Sequence, residues 1–514
     1  MSRSVSEPPA RGSARIARPW YAWATLAIGK TVRVLSRLLH HGGSALPGRV
    51  VERFDPGFLA RTLDSVPYGV VLVSGTNGKT TTTRMIASML RDLGLRVFTN
   101  PTGSNFTRGV VSALSREVSL GGGLDADIAV LELDEAYAVH FVRQVRPRYS
   151  LLLNVMRDQL DRFGEIDNTA RLLSHVARST TGTVVLNRED LRIAALADVV
   201  PDGVDVRYFG LSSGLRPLFP SDDDMHSDSP RQPGIATRPD DSPAADVTLL
   251  RAGDHEAEFL IDGRAVATQV KIDGVYNLYN AAAALSVVRC VIRDVTGINA
   301  ARPDGCRSGM HAPERQSGGR KAGDIVADRV GKSLPDQRSG GEPAEDARRR
   351  PMMEKVDTTR VLRALSQVTA AFGRGEVISI GKSTVELILV KNPMGFRLAL
   401  ASFDPNGYET MVAIGDEYAD GRDMSWLWDV DFTSLRSTGV AMVSGIRAWD
   451  MTLRLKYDQV AVGTTDTDLE AAVREFVLHD QGMPKRIYCT YTSMLRARAQ
   501  LAQLTEVSDA GVGR

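Results

Sequence analysis

Residues Gly69–Thr83, GVVLVSGTNGKTTTT, hold the chain's densest set of groups suited to a phosphate. Val70, Val71, Leu72 and Val73 form the short β-branched run of a strand buried on both faces. Gly75 and Gly78 let the main chain approach an anion, with Thr76 and Asn77 between them. Lys79 is long enough to reach terminal phosphates, Thr80 offers a hydroxyl to Mg2+, and Thr81 continues into a helix whose first amides point at the anion. Met85, Ile86, Met89 and Leu90 recur at helical spacing and place that helix on the sheet. Gly75 stands closer to Gly78 than the strict Walker pattern asks. A plain Gly-Asn turn would leave Lys79 in solvent, and the joint arrival of strand, glycines, Lys-Thr and helix argues against it.

The elements that must position this loop follow in order. Apolar runs at Val97–Thr99, Ile128–Leu131, Ser150–Asn154 and Thr183–Asn187 alternate with helical patterns across residues 69–190. Repeated strand–helix units of this kind predict an α/β fold with a mostly parallel sheet and helices on both faces. Ligands of such sheets sit at the carboxyl ends of strands, where the loop, Glu132 and Asn154 fall. A smaller C-terminal α/β domain is expected from Val385–Val390, Met411–Ile414 and Val440–Val443, with helices at 446–457 and 469–478. The expected divisions are an N-terminal tail and helix (1–55), a central nucleotide-binding domain (56–298) carrying an acidic exposed insertion (213–245), a disordered insertion (299–352) and the C-terminal domain (353–514).

The 514 residues suffice for two or three domains, and the formal charge of +1 gives no footprint for nucleic acid. Cys290, Cys306 and Cys489 lie far apart, which fits neither a disulfide framework nor a zinc site and suits a reducing cytosol. The apolar run Trp20–Gly29 is about half the length of a membrane span. Trp20, Tyr21 and Trp23 stand among arginines there, so residues 20–41 read either as a helix docked on the protein itself or as one lying at a membrane interface. The expected location is the cytoplasm, with the inner membrane face as the variant of that reading.

Taken together, GTNGKTTTT, GSNFTRG (103–109), LELDEA (131–136), RDQLDRFGEID (157–167), FGRGE (372–376), LVKNPMG (389–395) and ADGRDMSWLWDVDF (419–432) resemble the Mur ligase superfamily. More narrowly they resemble its MurT family, subunits of lipid II isoglutaminyl synthase. The resemblance covers residues 42–210, 247–295 and 356–500. It implies ATP-dependent amidation of the D-glutamate α-carboxyl on lipid II, with ammonia from a GatD-like glutaminase partner.

On that resemblance Lys79 stabilises the transferring phosphoryl group, and Thr80 with Glu132 holds Mg2+. Glu135 is the alternative ligand: along a strand it would face away from residues 132 and 134, unless the strand has already ended. Asn277 and Asn280 match an adenine contact, or cap their helix. Arg374 reaches the nucleotide, or makes a surface ion pair. Asp423 completes the glutaminase site by orienting a histidine of the partner, or caps a turn, with Asp420, Asp429 and Asp431 as neighbours. Trp426 and Trp428 serve core or interface.

The sequence also departs from the family. Its zinc-ribbon cysteines are missing from residues 213–245, so no structural zinc is expected. Gln159 stands where the amino-acid-adding ligases carry histidine, and no lysine occurs between Arg162 and Glu189 for a second metal. His140 and His175 read as structural. The competing readings are an amino-acid-adding ligase of the Mur or folylpolyglutamate kind and a non-catalytic phosphate-loop scaffold.

Overall fold

The structure, a computed structural model, describes residue 25 and residues 45–100, 105–119, 123–156, 166–219, 243–253, 255–271, 275–296, 356–368, 374–417, 420–480 and 482–505. The N-terminal helix expected at 20–41 (except Thr25), residues 220–242 of the insertion expected at 213–245, the insertion at 299–352, and Gln159 lie outside the described residues.

β1 (Val70–Ser74), β2 (Val97–Thr99), β3 (Ile128–Glu132), β4 (Tyr149–Leu152), β5 (Thr183–Asn187), β6 (Asp205–Leu211) and β7 (Val247–Gly253) form the parallel part of a nine-stranded sheet. β8 (Glu256–Ile261) and β9 (Arg264–Gln269) extend it as antiparallel strands, so the order is β2-β3-β1-β4-β5-β6-β7-β8-β9. β1 lies between β3 and β4, and its end aligns with theirs: Val73 pairs with Glu132 and Ser74 with Leu152. That register brings the phosphate loop, Glu132 and Asn154 to one edge of the sheet.

All five residues of β1, β3 and β5 are buried, as strands covered on both faces require. One cover is the long helix Val275–Thr296, which packs with the phosphate-loop helix Lys79–Asp92. It is long and apolar enough to cross a membrane, but most of it is buried in this core. The opposite face is covered by Thr107–Glu117, Glu135–Val142 and Ile166–Ser179, with Phe58–Asp64 beside them.

The second sheet is built from β10 (Arg374–Ile380), β11 (Ser383–Leu389), β12 (Glu409–Ala413), β13 (Val440–Ser444), β14 (Val462–Asp466) and β15 (Lys485–Cys489). Its order is β10-β11-β15-β12-β13-β14, parallel except for β10. The helix Thr358–Ser366 falls past the sequence boundary at residue 353. It nevertheless packs on the first body, where Val361, Leu362, Ala364 and Leu365 join the core formed around Val275–Thr296. Its apolar stripe matches a groove that sequence spacing alone cannot assign to either sheet.

Leu365 is fully buried in that core, whereas Leu191 is 62% exposed. Leu365→Ala should therefore lower unfolding stability by about 2–5 kcal/mol, and Leu191→Ala by less than about 0.5 kcal/mol. Urea denaturation monitored through the first body checks this; equal effects would contradict the assignment.

Candidate functional site

The phosphate loop is held from below by one asparagine. Thr76 N donates to Asn154 O at 2.9 Å, and Asn77 N donates to Asn154 Oδ1 at 2.8 Å. Asn154 Nδ2 donates back to Asn77 O and to the Tyr276 hydroxyl, both at 3.1 Å. Gly75, at φ +127°, lies so close to this residue that an added Cβ would meet Asn154 N at 2.9 Å. Gly78, at φ +87°, opens the helix, and a Cβ there would meet Asn280 Oδ1 at 2.5 Å. Both glycines are therefore needed for close approach as well as for backbone conformation.

Lys79 is buried. Its ammonium donates to Gly75 O at 2.6 Å, Thr76 O at 3.2 Å and Asp134 Oδ1 at 2.9 Å, and lies 3.5 Å from Glu135 Oε2. A charge removed from water needs such partners. Asp134 is the first residue past β3 to turn into the next helix, and Glu135 is that helix's first residue. Burial pushes the Glu135 carboxyl up to about 7, against the pull of Lys79 and with the help of Asp134. For Asp134, burial is outweighed by Lys79, Glu135 and Lys391, which hold it well below the usual carboxylate range.

Of the two carboxylates weighed as metal ligands, Glu132 meets Thr80 Oγ1 at 3.2 Å, and Glu135 accepts from Thr76 Oγ1 at 3.1 Å. β3 ends at Glu132, so strand alternation no longer governs residues 134 and 135. Among the described residues no group of His, Cys, Asp or Glu converges as a metal cluster. The Thr80–Glu132 oxygen pair suits a hard ion that takes its remaining ligands from phosphate and water, as Mg2+ does. The buried Thr81 hydroxyl has no partner among the described residues and leaves a donor beside the loop.

A cleft of about 680 Å³ opens beside the loop, lined by Gly78, Tyr276, Asn277, Lys391 and Phe403 among others. Asn277 thus faces the cleft, while Asn280 is buried against Gly78. Arg374 opens β10, and its side chain is outside the described residues. The second domain reaches across: Lys391 Nζ donates to Thr76 O at 3.0 Å, and Asn392 Nδ2 donates to Asn77 Oδ1 at 3.1 Å. Asn392 also caps the helix Pro393–Ser402 through Gly395 N. Asp134, Lys391 and Asn392 were not among the sequence candidates. The LVKNPMG pattern was the available signal for the last two.

Asp423 lies away from this site, exposed on the second domain, where its Oδ1 accepts from Ser425 N at 2.9 Å and so caps a short 3₁₀ turn. Asp431 caps the next turn through Thr433 N, and Asp429 is exposed. Asp420 is buried and bound to Thr492. Trp426 packs on Phe396 at a centroid distance of 6.5 Å, while Trp428 is half exposed. His140 and His175 are exposed on helices.

The Glu135 carboxyl gives a pH signature. It titrates higher in the fold than in the unfolded chain, so its proton stabilises the fold, and that stabilisation is lost as pH rises toward about 7. Thermal midpoints should show wild type losing ground to Glu135→Gln between about pH 5 and about pH 8. A gap that stays flat or moves the other way would contradict this assignment.

Comparison with known proteins follows the same division of the chain. Residues 73–288 match the family described as Mur ligase middle domain, and residues 389–494 match MurT ligase C-terminal. The chain is 26% identical to the lipid II isoglutaminyl synthase (glutamine-hydrolyzing) subunit MurT of Streptococcus pneumoniae, over 91% of this chain and 94% of that protein. The Staphylococcus aureus (strain COL) protein of the same name is 24% identical, over 86% of this chain and 89% of that protein. In fold, the chain is similar to MurF from Acinetobacter baumannii, with a TM-score of 0.59 at 15% identity, covering 90% of this chain and 81% of that one. It is also similar to MurF from Thermotoga maritima in complex with ADP, with a TM-score of 0.55 at 14% identity, covering 97% of this chain and 87% of that one. The chain thus joins a Mur ligase middle domain to a MurT-type C-terminal domain.

Proposed function

We propose that this chain is the synthetase subunit of an ATP-dependent amidating ligase of peptidoglycan synthesis. Its substrate is the D-glutamate α-carboxyl of the lipid II stem peptide, and its product is D-isoglutamine. The observation that carries this reading is the meeting of a phosphate loop with Lys391 and Asn392 of a MurT-type domain.

ATP is bound by the loop from Gly75 to Thr81, with Asn277 and Asn280 toward the base. The substrate carboxylate attacks the γ-phosphorus, the bond to ADP breaks, and an acyl phosphate forms. Ammonia then attacks the acyl carbon, and phosphate leaves with the proton that the nitrogen gives up. Lys79 neutralises charge on the transferring group, once ATP draws its ammonium from Asp134 and Glu135. Thr80 and Glu132 would hold Mg2+, which would supply further neutralisation of phosphate charge.

Ammonia comes from a GatD-like glutaminase partner, whose histidine Asp423 orients. An apolar face suited to a partner lies on the same domain. Trp449, Leu453 and Tyr457 form one stripe of the helix Ala448–Tyr457, exposed by 65%, 49% and 68%. Ile446 adjoins it, and Trp428, from the turn after Asp423, packs edge-on against Tyr457 at 5.2 Å. Large exposed aromatics grouped this way are characteristic of protein interfaces. The reading places the chain in the cytoplasm.

Lys79→Ala should reduce substrate-dependent ADP release by about 10²–10³-fold; unchanged release would leave the chain a scaffold. In the complex, Asp423→Asn should lower glutamine-driven amidation by about 10²–10⁴-fold while ammonium-driven amidation stays within about twofold. Equal loss of both would move Asp423 out of the glutaminase site.

A further inference from the structure

The start of the helix Val275–Thr296 meets the phosphate site through three side chains, and the proposed reaction has used only two. Asn277 faces the cleft, and Asn280 lies against Gly78. Tyr276 is the third. It stands four positions before Asn280, on the same side of the helix. Its ring lines the cleft beside the loop, together with Gly78, Asn277 and Phe403. The same ring lines a second cavity of about 470 Å³, whose wall includes Asn154 and Phe219. With Leu398, which also faces both spaces, it forms the partition between them. Phe219 backs the ring from the far side at a centroid distance of 6.2 Å.

The polar end of Tyr276 turns toward the loop. Its hydroxyl accepts from Asn154 Nδ2 at 3.1 Å, and Asn154 is only 5% exposed. A side-chain amide has two N–H donors and one oxygen. Here the nitrogen serves Tyr276 and Asn77 O, and the oxygen accepts from Asn77 N at 2.8 Å. Every group of the Asn154 amide is therefore engaged, and Tyr276 sets its plane from the side of the cleft. The loop so held carries the carbonyls of Gly75 and Thr76, which receive the Lys79 ammonium.

We propose that Tyr276 is a positioning residue: its ring bounds the cleft where the base would lie, and its hydroxyl, acting through Asn154, sets the phosphate loop. This rests on the reading that loop and cleft together bind ATP. A base seated in the cleft holds the ring in place. The hydroxyl then keeps the Asn154 amide turned toward Asn77, and the amide fixes both main-chain groups of that residue. Base and phosphates are thus bound by parts joined through one chain of hydrogen bonds. Loss of the hydroxyl would leave a buried N–H of Asn154 without its partner and free the amide to turn, while the wall of the cleft stays.

The test is amide hydrogen exchange of the full chain, read at residues 75–81 and 275–280, with and without saturating ADP. In wild type, ADP should slow exchange in both segments. In Tyr276→Phe, protection of 275–280 by ADP should stay within about twofold of wild type, while protection of 75–81 falls by about tenfold. Combined with Asn154→Ala, the substitution should add no loss in the loop beyond that of Asn154→Ala alone. Loop protection equal to wild type in Tyr276→Phe, or equal loss in both segments, would overturn the positioning role. Further loss in the double variant would overturn action through Asn154. Wild-type chain in which ADP protects neither segment would overturn the nucleotide reading itself, a failure visible before any variant is made.

Discussion

A lysine ammonium buried at the end of β1 is the constraint on which the site depends. Burial of Lys79 is tolerable only because two loop carbonyls and two carboxylates surround it. Those partners dictate the geometry around them. The carbonyls of Gly75 and Thr76 must turn inward, which needs the positive φ of Gly75 and the bracing of the loop by Asn154. The carboxylates must stand past the end of β3, which the β1–β3 register secures. A ligand that takes the ammonium away leaves Asp134 and Glu135 facing each other, and the raised Glu135 pKa means that one of them can hold a proton. Paired in this way, Lys79 is electrostatically closed off, and the site opens toward a polyanion.

The second domain acts on the same loop from above. The reciprocal amide contact between Asn77 and Asn392, with Lys391 on Thr76, ties residues from two sheets at the point where a phosphate would lie. Asn392 has a double task, since it also caps the helix Pro393–Ser402 that walls the cleft. Movement of that helix and movement of the loop are therefore mechanically joined. Chemistry that first phosphorylates a carboxylate and then needs water kept out of the acyl phosphate benefits from such a joint.

Local pattern carried much of this into the sequence. β1, the loop and its helix are set by neighbours within one stretch, and β5 ends at the residues that apolar runs suggest, Thr183 and Asn187. Strands buried on both faces are legible because no solvent face dilutes the signal. What stayed hidden is long-range. Asp134 reaches Lys79 across 55 positions and Lys391 reaches Thr76 across 315, and no spacing rule spans such gaps. The choice between Glu132 and Glu135 stayed open in the sequence because it turns on where β3 ends; in the structure each has its own partner, Thr80 for one, Lys79 and Thr76 for the other. The helix Thr358–Ser366 was given to the later domain because its neighbour in sequence is β10, while its apolar face fits the earlier core. Asp423 shows the converse: its turn-capping bond was legible as a common Asp role, but its exposure on the second domain was not.

The central claim is that this chain turns a carboxylate into a primary amide. It is tested most directly by mass spectrometry of lipid II after incubation with the chain, the proposed glutaminase partner, ATP, Mg2+ and glutamine. The account predicts product lighter by one mass unit, the difference between a hydroxyl and an amino group, and no change when ATP or the partner is omitted. Product heavier by an amino-acid residue, or unchanged lipid II in the complete mixture, would contradict it.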